Sequence, residues 1–276
     1  MAETAYSVLY RDEWIHGFEP GLKATLRSTV TTEAMVQGRQ AVFLVAESSR
    51  EAVTRGSNGL IPASVDDLTQ STVTLEEVHD KPQKTQFNIF AGQSDQRAIM
   101  QATSRRVINR AIDRKIIDAL AQGTQDVAGP TFSKGVVNKS LAVLLQNSVP
   151  MDGNIHAVVT PAAWMELTDL AGWSSQDYVA DRPLTEGMVE VRRWMGINWR
   201  CHDLLPGMGT NAAKCFMYHR DSVGHAYASS DIQVYAGYDE QDDYSWCRTT
   251  IYHGSLRLQN KGIVVITHDD SQYVAT

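Results

Sequence analysis

The sequence is short of cysteine, of basic charge and of long apolar runs, and each shortage excludes a class of protein. Cysteine occurs three times, at Cys201, Cys215 and Cys247. The number is odd, and the spacings match neither a zinc knuckle nor a CxxC redox pair. The three are expected to be small buried hydrophobes in a reducing cytoplasm. Acidic residues outnumber basic ones, for a formal net charge of −7. Proteins that grip nucleic acid through its phosphates carry a basic surface, so tight sequence-specific DNA binding is not expected here. No run of about 18 consecutive apolar residues occurs, so neither a transmembrane helix nor a membrane partner is expected. The first twenty residues, MAETAYSVLYRDEWIHGFEP, lack the basic stretch and apolar core of a secretion signal.

The motifs of common chemistry are missing too. There is no GxxxxGK[ST] and no GxGxxG opening a helix after a strand. There is no GxSxG elbow, no SxxK with its partners and no kinase signature. Eight histidines raise the question of a metal. Cys215 and His219 lie four apart, but in a strand that places them about 13 Å apart on one face. His268, Asp269 and Asp270 resemble a ligand cluster, yet three consecutive residues of a strand cannot all face one ion; a polar strand end is the reading here. The acid pairs Asp66-Asp67, Glu76-Glu77 and Asp242-Asp243 sit in turn-like or strand settings where carboxylates are solvated. Trp194 and Trp199, flanked by Arg192, Arg193 and Arg200, have the makings of a base-stacking platform; beside Met195 and Ile197 they read better as core or subunit contact. No catalytic residue, cofactor or metal is assigned.

What is present is an ordinary globular composition, 43% apolar and 21% charged over 276 residues. That length suits one large domain or two interleaved ones. Residues 1–37 are weakly periodic, with Trp14, Ile15 and Phe18 followed by breakers at Gly17, Pro20 and Gly21. They read as an extended arm without a local core, which needs another surface to lie on. QAVFLVA (40–46) and STVTLEEV (71–78) read as strands. The connection between them is much longer than a hairpin loop and carries Gly56, Asn58-Gly59 and Pro62. A two-stranded hairpin is marginal in water, so a long projecting one implies a partner.

Residues 94–122 predict one long amphipathic helix. Ser94 is placed as its N-cap and Asp95 in its first turn. Ile108, Ile112, Ile116 and Leu120 form its apolar stripe, and Gly123 ends it. Its other faces carry Arg97, Arg105, Arg106, Arg110, Arg114 and Lys115. They suit either acidic neighbours and packaged DNA or local pairs such as Arg110 with Asp113 and Arg114 with Asp118. A shorter helix over 134–147 follows, with Val137, Leu141, Leu144 and Leu145 on one side. HAVVT (156–160) then reads as a buried strand, and Pro161 starts a helix ending near Gly172. Residues 173–188 look like a loop, 189–203 like a hairpin about Gly196, and 206–209 like a turn. Residues 214–221 read as a strand and SVGHAYAS as a short helix or turn. From Asp231 the chain turns to strands, with Asp239, Glu240, Asp242 and Asp243 in an acidic turn. The fold class is α+β.

This order of segments resembles the major capsid proteins of tailed bacteriophages, the Hong Kong 97 fold. The likeness covers nearly the whole chain and lies in the order and spacing of segments. It implies an N-terminal arm (1–37), an extended two-stranded loop (38–90) and a peripheral domain (91–147) holding the spine helix 94–122. It implies further an axial domain (148–230), and a return to the peripheral domain (231–276) ending in KGIVVITHDDS. The arm is too short to include the cleaved scaffolding region of some family members, which implies a separate scaffolding protein or none. The resemblance implies a protein that self-assembles as hexamers and pentamers into an icosahedral shell around double-stranded DNA. Its expected partners are copies of itself, scaffolding, portal and decoration proteins, and nonspecifically the packaged DNA. Subunit-interface residues are expected in the extended loop at Arg50, Arg55, Leu60 and Ile61, with the arginines meeting Asp242 and Asp243 of a neighbour. A nanocompartment shell of encapsulin type shares this fold. A metal-assisted α+β hydrolase, which the histidine and aspartate count suggests, is the alternative of another class.

Overall fold

The computed structural model describes residues 24–47, 67–91, 95–174 and 190–273, with a few positions between 51 and 59. Of the interface positions expected from sequence, Arg50, Leu60 and Ile61 lie outside the described residues, as do residues 1–23 of the arm, Ser94 and most of the loop expected over 173–188.

In chain order the elements begin with β1 (Thr31–Val36), β2 (Gln40–Glu47), β3 (Asp67–Thr74), β4 (Glu76–Asp80), β5 (Gln83–Thr85) and α1 (Gln86–Ala91). Next come α2 (Gln96–Leu120), β6 (Gln125–Ala128), α3 (Lys134–Gln146), β7 (Ile155–Val159), α4 (Pro161–Thr168) and α5 (Ala171–Ser174). The chain closes with β8 (Arg192–Trp194), β9 (Ile197–Cys201), β10 (Ala213–His219), β11 (Val223–Ala228), β12 (Gln233–Asp239), β13 (Tyr244–Arg257) and β14 (Ile263–His268).

The long helix forms where the isoleucine spacing places it. Its 25 residues span about 37 Å, and Ile108, Ile112, Ile116 and Leu120 are fully buried. The N-cap is Asp95 rather than Ser94: its carboxylate accepts from the amides of Arg97 and Ala98, two donors the helix itself cannot satisfy. Gly123 follows the last turn, where a Cβ would lie 2.8 Å from the Ile263 side chain. Asp113 is not on the helix surface. It is buried and accepts from the backbone amides of Thr25 (3.2 Å) and Leu26 (3.1 Å) and pairs with His202 Nε2 at 3.2 Å. On α3, Val137 and Leu144 are buried as expected, but Leu145 is exposed and Val136 takes its place in the core.

One sheet runs β6-β14-β10-β7-β9-β8. Its central strand β7 is buried at every residue, which is why its sequence is apolar without alternation. Thr160 caps α4 by accepting from the Ala163 amide, and Pro161 occupies the first turn, where its missing N–H costs nothing. The expected hairpin about Gly196 is β8–β9, turned by Met195 and Gly196 at φ 53° and 76°, the left-handed pair that a two-residue turn requires. Over this end of the sheet Trp164, Trp194 and Trp199 surround Trp173 with ring centroids 5.3–5.6 Å from it. Arg192 lies over the Trp173 ring at 4.5 Å.

The second sheet runs β1-β11-β13-β12, with β4 and β5 along the other side of β13. Residues 222–229, expected as a helix or turn, contain β11 instead, which pairs parallel with β1 and antiparallel with β13. STVTLEEV also divides: Leu75 ends the pairing of β3 with β2, and β4 pairs with β13. The sheets cut across a boundary at residue 230, because β11 joins β13 while β14 joins β10. The part of the arm described here is not without a core. Leu26 and Val30 are fully buried in the main hydrophobic cluster, and Arg27 pairs with Asp231 at 2.9 Å. No helix of the described residues is long and apolar enough to cross a membrane.

Candidate functional site

The ribbon β2–β3 is a sheet of its own, paired in register from Gln40 with Thr74 to Glu47 with Asp67. Period-two alternation divides it into two faces. One face, carrying Ala41, Phe43 and Val73, is buried with Ala226 in a small separate cluster. It sits on glycines: a Cβ at Gly224 would meet the Phe43 ring at 3.0 Å, and one at Gly254 would meet Val73 Cγ2 at 2.8 Å. The opposite face carries Val42, Leu44, Ala46 and Leu68, all exposed, with Leu44 72% and Leu68 67% accessible. Register sets Leu44 opposite Gln70 and Ala46 opposite Leu68, so Leu44 and Leu68 are diagonal neighbours on one surface. Burying a leucine against a partner is worth roughly 1.5–3 kcal/mol, and a bare two-stranded ribbon is marginal without such support.

The second surface is the turn between β12 and β13. Asp239, Glu240, Asp242 and Asp243 cluster here. Asp243 adopts φ 50° and accepts from the Tyr238 hydroxyl, which pushes the Tyr238 phenol up. Its carbonyl accepts from the Gln86 amide at 3.1 Å, and the next residue, Phe87, is 73% exposed. Arg55 donates from Nε to the Gly59 carbonyl at 2.9 Å. Among the described residues it forms no ion pair with Asp242 or Asp243 of the same chain, so the structure does not bring these expected partners together within one subunit. Leu44, Leu68 and Phe87 were not singled out from sequence. The available signal was QAVFLVA, which is apolar at both parities and therefore cannot hide both faces of a two-stranded ribbon.

The chemistry-bearing residues lead inward. Trp194 and Trp199 are buried in the tryptophan cluster, which removes them as a base-stacking platform. Cys215 is buried, accepts from the Thr160 amide at 3.3 Å and has its thiol pushed up by burial. His219 faces Asp152 at 3.2 Å and Asp221 at 3.7 Å. Hydrogen bonds from Asn154 hold Asp152 down at about 2. The strand end His268-Asp269-Asp270 is not simply solvated. His268 and Asp270 are buried together at 2.5 Å, with the Thr160 hydroxyl donating to Asp270 at 3.0 Å. Among the described residues no three His, Cys, Asp or Glu side chains converge as a metal ion requires.

Comparison with known proteins gives a family and a fold. A family model described as phage capsid protein matches residues 2–270. No curated protein matches the chain. Among solved structures, the capsid of Ralstonia phage GP4 superposes with a TM-score of 0.76 at 11% identity, covering 99% of this chain and 98% of that one. The capsid of a native GTA particle gives 0.75 at 14% identity, with 97% of each chain covered. The capsid of cyanophage P-SCSP1u gives 0.74 at 12% identity, covering 96% and 93%.

Proposed function

Because this chain belongs to the phage capsid protein family, we propose that it is a major capsid protein whose copies tile a closed icosahedral shell, as hexamers and pentamers, around double-stranded DNA. It is a structural protein, and its place is the virion capsid, assembled in the cytoplasm of the host bacterium. In this reading residues 1–37 are the arm, the ribbon is the extended loop, and α2 is the spine helix. The sheet around β7 and β9, with β14 in it, belongs to the axial part, and β12 and β13 close the peripheral part. Scaffolding, portal and decoration proteins are its further partners. The net charge of −7 disfavours tight phosphate binding, so contact with the packaged DNA is weak and nonspecific.

One observation carries the proposal beyond the family. Among the described residues the outer face of the ribbon, Leu44 and Leu68, is exposed, and closed symmetric assembly supplies cover from identical copies. Each interface is modest, but many repeated ones give a shell that opens slowly. The second contact is electrostatic: Arg50 and Arg55 of one subunit against Asp242 and Asp243 of the next, with Leu60 and Ile61 beside the arginines. The test is negative-stain microscopy and sedimentation of the chain purified after expression alone in bacteria, and again with its portal and scaffolding partners. Closed, uniform shells are expected. A monodisperse monomer under both conditions would contradict the reading.

A further inference from the structure

His225 on β11 and His253 on β13 meet on the face of the sheet turned toward α2. Their ring centroids are 5.6 Å apart, and both residues are fully buried. His225 Nδ1 bonds to the Ser255 hydroxyl at 2.8 Å. Its Nε2 and both ring nitrogens of His253 have no hydrogen-bond partner among the described residues. The pair differs in this from three other buried histidines, each of which faces a carboxylate: His202 with Asp113, His219 with Asp152 and His268 with Asp270. His156 also lacks an acid, but it lies in the other sheet beside Tyr218.

The charged groups around the pair come from several elements. Lys115 of α2 and Glu76 of β4 face His253, and they pair with each other at 2.7 Å. Arg27, in the turn before β1, acts on both rings and is tied to Asp231. Arg110, Arg114 and Asp118 of α2 line the same groove as His253. Cations outnumber acids here, and no acid bonds either ring.

The residues next in sequence face the other way. Gly224 and Gly254 form the floor on which Phe43 and Val73 of the ribbon rest. The two strands therefore hold the ribbon's base on one face and the histidine pair on the other. We propose that His225 and His253 form an acid-operated latch: as neutral rings they keep the sheet seated on α2, and their protonation parts that seam and frees the base of the ribbon. The latch deepens the shell reading and rests on it for its place of action, since there it would let acid reset the ribbon that bridges copies.

The sign follows from the environment. Burial first, then the neighbouring ring and Arg27, hold His225 down at about 3. Burial first, then Lys115, hold His253 at about 4. A histidine whose folded value is depressed stabilises the fold above its ordinary value of 6.5, and that stability is lost as pH falls below it. Between pH 7.5 and pH 5, each ring should make unfolding about 30-fold easier, and the pair about a thousandfold.

The experiment compares full-length protein with the His225→Asn/His253→Gln double variant in urea unfolding at pH 7.5 and pH 5. His156 and the paired histidines are common to both and cancel. Between the two pH values the wild type's folding equilibrium constant is expected to fall about a thousandfold further than the variant's. Equal losses would overturn the latch. Should the variant fail to fold, hydrogen–deuterium exchange of the wild type at the two pH values, corrected for intrinsic rates, decides. Deprotection confined to β11, β13 and the base of β2 supports the latch, and uniform change across both sheets overturns it. Both readings work on dispersed subunits, so absence of shells in the microscope would remove the shell proposal without touching this one.

Discussion

The sheet around β7 and the ribbon β2–β3 are built from similar residues and end in opposite situations. In the first, β10 lies between β14 and β7 and α3 packs against β14, and Val158, Phe216 and Ile266 see no solvent. In the second, Phe43 is buried while Leu44, its neighbour in sequence, is 72% exposed. The first region satisfies itself within one chain. The second is half satisfied: Leu44 and Leu68 of its other face are exposed, and in the proposed shell a neighbouring copy covers them. The difference teaches where fold ends and assembly begins, because substitutions in the first should cost stability and those in the second should cost particles.

The largest effect should come from Trp199→Ala. It removes a fully buried ring from the tryptophan cluster, for an expected loss of about 4 kcal/mol, read as a drop in the urea midpoint; an unchanged midpoint would mean the two regions are not so different. Next is Asp113→Ala, which strands His202 and the amides of Thr25 and Leu26. About 3 kcal/mol should be lost, and exchange should rise first at residues 24–30. The Leu44→Asn/Leu68→Asn double variant should change the subunit's own stability by no more than about 0.5 kcal/mol, yet abolish shells by sedimentation; particles at wild-type yield would show that this face is solvent-facing in the lattice. The smallest effect is expected of Arg55→Glu. An exposed ion pair is worth about 0–1 kcal/mol, so shells should form but disassemble at lower temperature, and unchanged heat resistance would remove the Arg55 contact.

The same contrast explains what could be read from the residues. The long helix was legible because isoleucine recurs every four positions, and β7 because a run such as HAVVT has nowhere to go but inside. The hairpin at Met195-Gly196 was legible because glycine marks a left-handed turn. The strand β11 was not, because Gly224 and Ala226 carry little apolar signal. They are small because Phe43 and Val73 arrive there from the ribbon, a reason that exists only in three dimensions. The role of Asp113 was hidden likewise, since its partners Thr25 and His202 lie almost ninety positions away in both directions. Ser94 and Asp95 are both good caps, and local chemistry could not choose between them. The assembly surface was half legible. The ribbon stood out through its long connection, but which leucines face outward depends on a register that only the pairing of Gln40 with Thr74 fixes.

The most direct test is a cryo-electron microscopy reconstruction of the assembled particle at side-chain detail. If the chain is a shell subunit completed by its neighbours, Leu44 and Leu68 will lie covered by an adjacent copy. A closed shell in which both leucines face open solvent, or a preparation that yields only discrete monomers, would contradict it.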